Sequence, residues 1–306
     1  MSRFVVGVDG GGTSTRAVIL DDNGAEVARA ERAGAVATAG VPGDAASAVA
    51  DAVRLAAVQG GVTLPVRALW AGLAGAGREA TRDAVTAALS RVGLAQSIEV
   101  STDVEAALHD AFADGSGVML IAGTGSIACA RDENGVTHRV GGWGQHIGDE
   151  GSGYWIGTEA LRRVARAEDG RGSATMLREF VLEALGLRDP TELVAWVASA
   201  SKAEVAALVP DVARAASAGD ARAGKILERA VESLAHHVTT VVERSGPWSE
   251  QPRLALGGGL IRGRGPVRAA LLAAIVSHGV SVIERELDPP MGAARKALAL
   301  TLPGRQ

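Results

Sequence analysis

Val5-Val6-Gly7-Val8-Asp9-Gly10-Gly11-Gly12-Thr13-Ser14-Thr15-Arg16-Ala17-Val18-Ile19-Leu20 joins two apolar runs through a turn that carries one carboxylate, three glycines and three hydroxyls. Short apolar runs bounded by glycine fit buried strands better than helices, so the stretch reads as a hairpin. Its glycines would let backbone N–H groups approach a phosphate without interference from a Cβ. Asp9 ends the first strand and would be repelled by bare phosphate, which directs it toward a metal–phosphate complex. Taken alone, the stretch also fits an ordinary glycine-rich turn with a solvated aspartate.

Downstream, Asp21-Asp22-Asn23-Gly24 predicts a type I′ turn into a third strand over Ala25 to Ala30. A glycine- and alanine-rich connector from Gly34 to Gly43 precedes a helix to about Gln59, with Asp44 as the expected cap. Strands are predicted over Val66 to Leu73 and Ser97 to Ser101, and helices over Glu79 to Val92 and from about Val104 to Phe112. The pattern then begins again. Val118 to Ala122, the turn Gly123-Thr124-Gly125-Ser126, Ile127 to Arg131 and Asp132-Glu133-Asn134-Gly135 repeat the opening meander. Gly12-Thr13 and Asn23-Gly24 fall on Gly123-Thr124 and Asn134-Gly135 under one constant shift. An internal duplication explains that coincidence, and strands alternating with helices after each meander make the fold class α/β with a mixed sheet in each half.

The second copy continues through Gly141-Gly142-Trp143-Gly144 and Gly148-Asp149-Glu150-Gly151-Ser152 into a helix to about Ala167. Helices follow from Thr175 to Arg244, with Asp189-Pro190 and Asp220 as starts. Then come a strand over Arg253 to Leu256 that ends in Gly257-Gly258-Gly259, a helix from about Pro266 to Val276, a strand near Val280 to Ile283 and a closing helix. The expected domains are residues 1–115, with 289–303 packing back on them, and a larger second domain over 116–288 with a helical insertion.

Composition narrows the function. The 306 residues carry a net charge of −4, with 47% hydrophobic residues and a single cysteine, Cys129. No broad basic field is available for nucleic acid. A lone cysteine can build neither an intrachain disulfide nor a multi-cysteine metal or iron–sulfur cluster. No apolar run reaches membrane-spanning length and no leader pattern precedes the first strand, so no membrane partner and a cytoplasmic location are expected.

Two strand–turn–strand units could grip one polyphosphate from both sides of a cleft, and the bare backbone of Gly257 to Gly259 could accept the flat face of a nucleoside. This set of motifs resembles the actin-like, ribonuclease-H-fold ATPases, and within them the N-acetylglucosamine kinase and BadF/BadG/BcrA/BcrD group. The resemblance implies two ribonuclease H-like domains around a central cleft, each with a mixed five-stranded-type sheet and flanking helices. It also implies ATP and Mg²⁺ as cofactors, an amino sugar as substrate, and a homodimer.

Under the resemblance, Gly11, Gly12, Thr13 and Thr15 form the first phosphate motif, Gly123, Thr124 and Gly125 the second, and Gly257, Gly258 and Gly259 the adenosine motif. Asp9 would hold the metal. Asp103, where a strand passes into a helix, would be the catalytic base, although it could equally cap that helix. Ser126, Gly142, Trp143, Gly144 and Asp149 would line the sugar subsite. Asp149 suits vicinal hydroxyls because one carboxylate can accept from both. His146 is expected to be packed and neutral, and His236-His237 receives no role.

Sugar kinases of this type use an asparagine in the loop after the third strand, but the loop here reads Gly34-Ala35-Val36-Ala37-Thr38-Ala39-Gly40. Asn23 and Asn134, the two asparagines in the chain, both lie in hairpin turns. The contact is either lost or replaced by Thr38 or backbone, and N-acetylglucosamine, glucosamine and N-acetylmuramic acid stay open as substrates. A nucleotide-gated sensor or regulator of the BadF type is the alternative to a kinase.

Overall fold

The computed structural model of the protein describes residues 3–113 and 115–301. The opening stretch forms β1 (Val5–Gly10) and β2 (Ser14–Leu20), which pair antiparallel with Asp9 opposite Arg16 and Gly10 opposite Thr15. β3 (Glu26–Ala33) extends the meander. The turn into β3 differs from expectation. Only Gly24 has a positive φ, and its N–H donates to the Asp21 carbonyl, while the Asp21 carboxylate accepts from the Asn23 and Ala25 N–H groups. A type I′ turn needs positive φ at both central residues. Here the aspartate's local hydrogen bonds hold Asn23 in the ordinary region and leave the glycine alone to turn left-handed.

After the connector, α1 (Pro42–Gly60) starts at its proline rather than under Asp44, which lies within the first turn and caps nothing. Proline at the first helical position gives up an N–H that would have no partner there anyway. β4 (Val66–Leu73), α2 (Glu79–Val92), β5 (Ala95–Ser101) and α3 (Asp103–Phe112) complete the first α/β segment. β4 and β5 run parallel to β1, giving the order β3-β2-β1-β4-β5.

The second copy repeats this order. β6 (Gly117–Ala122), β7 (Ser126–Arg131) and β8 (Thr137–Gly141) form the meander. The helices α4 (Gly153–Glu168), α5 (Leu177–Leu185), α6 (Leu193–Ser199), α7 (Lys202–Ala206), α8 (Val209–Ser217) and α9 (Ala221–Ser245) follow. Next come β9 (Arg253–Gly257), α10 (Arg268–Ile275) and the short β10 (Ser281–Val282). β9 is parallel to β6 and β10 to β9, so the sheet order is β10-β9-β6-β7-β8, the first topology over again. The duplication read from two turn dipeptides therefore extends to whole sheets.

The chain divides into two compact units, Met1–Gly115 with Leu287–Gln306, and Ser116–Glu286. In the first, alternate residues of each strand serve opposite faces. Val6, Val8, Ala17 and Ile19 pack with α1 and α2, while Val5, Val18, Leu20 and Trp70 pack with α3 and the closing helix α11 (Pro289–Ala299). Gly7 lies on the second face, where a Cβ would come within 1.9 Å of the Ala294 backbone nitrogen. Helix and sheet meet there backbone to backbone. The second unit has one continuous core of Val118, Leu120 and Ala128 from its sheet with Ile156, Val212, Leu234 and Leu271 from its helices.

Candidate functional site

In the first unit, the parallel strands carry the candidates to their carboxyl ends, the side where open α/β sheets bind ligands. Asp9 is in register with Gly72, and Gly72 with Ser101, so one row across the sheet leads to Thr102 and Asp103. Thr102 is the N-cap of α3: its hydroxyl accepts from the Glu105 N–H at 3.2 Å. That relieves Asp103 of capping. Its own carboxylate accepts from the Val104 N–H at 3.0 Å. Burial, and then the negative charge of Asp9, push the Asp103 carboxyl above the usual carboxylate range. A carboxylate raised in this way is a stronger proton acceptor than an exposed one.

Asp9 is also raised, first by burial; the Arg16 guanidinium opposes the rise and Asp288 adds to it. Arg16 donates directly to Asp9 Oδ2 across the β1–β2 pair. The adjoining loop keeps donors available. Gly11 N–H is taken by the Ser14 carbonyl, yet among the described residues no protein acceptor takes the N–H groups of Gly12 and Thr13. Thr15 is buried in the strand pair. Thr38 is exposed and its hydroxyl accepts from the Val41 N–H at 3.3 Å, beside the start of α1. The loop carrying it is tied to both neighbouring turns, Gly34 N–H to the Thr13 carbonyl and Ala37 N–H to the Ala74 carbonyl.

Among the described residues no group of three or more acidic, histidine or cysteine side chains is placed to hold a metal. Mg²⁺ usually takes one or two carboxylates, with waters and phosphates completing its shell. Asp9 and Asp103, two partly buried carboxylates that repel one another, fit that smaller demand.

The second unit assembles the other candidates around the turn between β6 and β7. Gly123 N–H donates to the Gly125 carbonyl, and no protein acceptor among the described residues takes the Thr124 and Gly125 N–H groups. The carbonyls of Gly123 and Thr124 accept from Gly153 and Tyr154 at the N-terminus of α4. Gly258 presses on the same turn: its φ is +89°, and a Cβ would lie 2.3 Å from the Ala122 carbonyl oxygen. That oxygen accepts from the Leu260 N–H. The turn expected to bind phosphate and the glycines expected to bind adenosine are thus in backbone contact. Gly259, with Arg262, Arg264, Arg268 and Arg285, borders a cavity of about 640 Å³.

Ser126 is buried and donates to the Glu150 carbonyl at 2.8 Å. Asp149 is 3% exposed and holds a positive φ of 63°, a conformation unusual for a residue with a Cβ. Ser152 caps α4 by accepting from the Trp155 N–H. Gly141, Gly142 and Gly144 bend the chain after β8, leaving Trp143 66% exposed with the Arg139 guanidinium 5.2 Å from its ring centroid. Trp143 also lies against the Asp149 loop, since a Cβ on Gly148 would be 3.1 Å from its own. His146, expected to be packed, is exposed, and its Nε2 lies 3.1 Å from the Gln145 amide.

Three residues escaped sequence reasoning. Arg16 pairs with Asp9. Lys202 reaches Asp149 Oδ2 at 2.5 Å. His237 on α9 is buried under Gly141, with Nε2 3.9 Å from Glu150 and Nδ1 without a partner; burial lowers its pKa. Only Arg16 had a local signal, as the residue facing Asp9 once the hairpin is drawn.

The model of the BadF/BadG/BcrA/BcrD ATPase family matches residues 6–297. The chain belongs to this ATPase family. Among relatives of this BadF-family chain is the N-acetyl-D-glucosamine kinase of Dictyostelium discoideum, 30% identical over 327 residues, covering 97% of this chain and 99% of that one. A glucosamine kinase of Vibrio cholerae is 31% identical over 265 residues, covering 82% and 89%. A crystal structure from Chromobacterium violaceum, provisionally named an N-acetylglucosamine kinase, superposes with a TM-score of 0.79 at 27% identity, covering 96% of this chain and 98% of that one. The two mixed five-stranded sheets are those of actin-like sugar kinases.

Proposed function

We propose that this BadF-family protein is an ATP-dependent amino-sugar kinase that phosphorylates the 6-hydroxyl of its substrate with Asp103 as the general base. The observation that carries the reading is Asp103 itself, released from capping by Thr102 and raised by burial and by Asp9. In the transfer, the bond between the γ-phosphorus and the β,γ-bridging oxygen breaks, the sugar oxygen bonds to phosphorus, and the hydroxyl proton moves to the Asp103 carboxylate. Asp103 orients the hydroxyl before it accepts the proton. Within the first unit the open N–H groups of Gly12 and Thr13, and within the second those of Thr124 and Gly125, are assigned to phosphate oxygens, and Gly257 to Gly259 to the nucleoside. Bound Mg²⁺ would neutralise phosphate charge, with Asp9 holding it.

Asp149, Ser126, Trp143 and the glycines at 142 and 144 are assigned to the sugar, and Thr38 to the position left by the absent asparagine. The relatives named for N-acetylglucosamine and glucosamine support an amino sugar, with N-acetylmuramic acid as a third candidate. The test is a panel of these three sugars with ATP, scored by the mass of the phosphosugar and by ADP release. Sugar-dependent ADP release that Asp103→Asn abolishes is expected. Sugar-independent hydrolysis untouched by Asp103→Asn would overturn the assignment. Nucleotide binding without any phosphosugar would favour a sensor.

A further inference from the structure

The helical insertion between β8 and β9 contributes a lysine for which the reading above has no use. Lys202 opens α7, a helix started by a capping box in which Ser201 accepts from the Glu204 N–H and Glu204 accepts from the Ser201 N–H. α7 is pressed onto α4 at two glycines. A Cβ on Gly157 would be 2.1 Å from the Val205 carbonyl oxygen, and one on Gly153 would be 3.0 Å from the Ala206 Cβ. α4 in turn donates from Gly153 to the Gly123 carbonyl at 2.7 Å and from Tyr154 to the Thr124 carbonyl at 3.3 Å.

Lys202 closes this circuit. Its Nζ is 2.5 Å from Asp149 Oδ2, and both charged groups flank Gly125: a Cβ there would be 3.2 Å from Nζ and 3.3 and 3.4 Å from the carboxylate oxygens. Asp149 is nearly inaccessible, whereas the lysine side chain is one-third exposed. The ammonium thus lies, on a partly exposed side chain, beside the turn whose Thr124 and Gly125 N–H groups have no protein acceptor among the described residues. An ammonium has three donors, of which Asp149 takes one.

We propose that Lys202 is a phosphate-binding cation of the β6–β7 turn, held by Asp149 so that its two remaining donors meet the terminal phosphates of the nucleotide. Asp149 then has two duties: Oδ2 anchors the lysine, and Oδ1 is left for a sugar hydroxyl. The proposal rests on reading Gly123 to Ser126 as a phosphate motif. A lysine that merely neutralised a buried carboxylate would give no preference among nucleotides.

Calorimetric titration of the full chain with ATP and with adenosine, both without sugar, separates these cases. Lys202→Met should weaken ATP binding about tenfold or more, the scale of a charge-assisted hydrogen bond, and leave adenosine within about twofold. Lys202→Arg should retain most of the ATP affinity, and thermal melts check that each variant is folded. If Lys202→Met does not fold, Lys202→Gln gives the same readout, because its amide can still donate to Asp149. Equal weakening of ATP and adenosine, or weakening of neither, overturns the proposal. Failure of the wild type to bind ATP overturns the phosphate-motif reading as well, whereas ATP binding with no sugar phosphorylated rejects the kinase reading alone.

Discussion

The hairpins β1–β2 and β6–β7 share a strand plan but differ in what they hold. Gly10 faces Thr15 across a four-residue loop, while Ala122 faces Ser126 across a three-residue loop. One position below those pairs, Asp9 faces Arg16 in the first hairpin and Ile121 faces Ile127 in the second. Both loops keep backbone donors open. The first supplies its charges from the sheet itself, whereas the second receives Asp149 and Lys202 from segments outside the sheet. The same hairpin backbone is thus repeated while the paired charges within the strands stay with one copy.

Asp103 shares the acidic end of the first sheet, and its loss should have the largest effect. Asp103→Asn is expected to lower kcat about 10²- to 10⁴-fold. Its Tm at neutral pH should not fall. A carboxyl whose folded pKa is raised contributes stability below its unfolded pKa, and that stability is lost as pH rises through the folded value. The asparagine escapes that loss, so a marked drop in Tm would show that the carboxylate supports the fold instead.

Next comes an exchange of contents. Replacing the pair by Asp9→Ile with Arg16→Ile copies the second hairpin into the first. Activity should be lost, with urea stability unchanged or increased by about 1–4 kcal/mol, as for other partly buried ion pairs replaced by apolar ones. Retained activity would remove Asp9 from the mechanism.

Gly258→Ala tests the support of the second hairpin. Positive φ alone costs roughly 1–3 kcal/mol, and the new Cβ must displace the Ala122 carbonyl, so both Tm and ATP affinity should drop. The smallest expected effect is on pH. The acid limb of kcat/KM should lie above the ordinary carboxylate range because Asp103 must be ionised to act. In Asp9→Asn the residual activity should show that limb at lower pH, since the repelling charge is gone. An unmoved limb would mean that the titrating group is not Asp103.

Much of the fold could be read from local chemistry. β4 and α2 match their expected ranges, and the glycine turns mark both hairpins. Errors arose where two local signals competed. Asn23-Gly24 favoured one turn, but the Asp21 carboxylate two residues earlier imposed another. Pro42 and Asp44 both signal helix starts, and the proline acts first. Thr102 and Asp103 could each cap α3, and only the structure shows that the threonine does so. The glycine turns Gly10 to Gly12, Gly123 to Gly125 and Gly257 to Gly259 stand out in the sequence because each is contiguous. Lys202 and His237 do not, since their meaning depends on Asp149 and Gly141, far away along the chain, and a lysine at a helix start looks like any solvated one.

The close contact of Gly7 with the Ala294 backbone bears on the order in which the protein can be made. As the chain leaves the ribosome, the first sheet, with Val5, Val18, Leu20 and Trp70 on one face, emerges before Ala293, Ala294 and Ala297, which cover that face with α3. The residues of the second unit are all synthesised in between. Throughout that interval the nascent first unit carries an apolar face that α3 alone does not wholly cover, so its folding is completed only after the second unit has been synthesised.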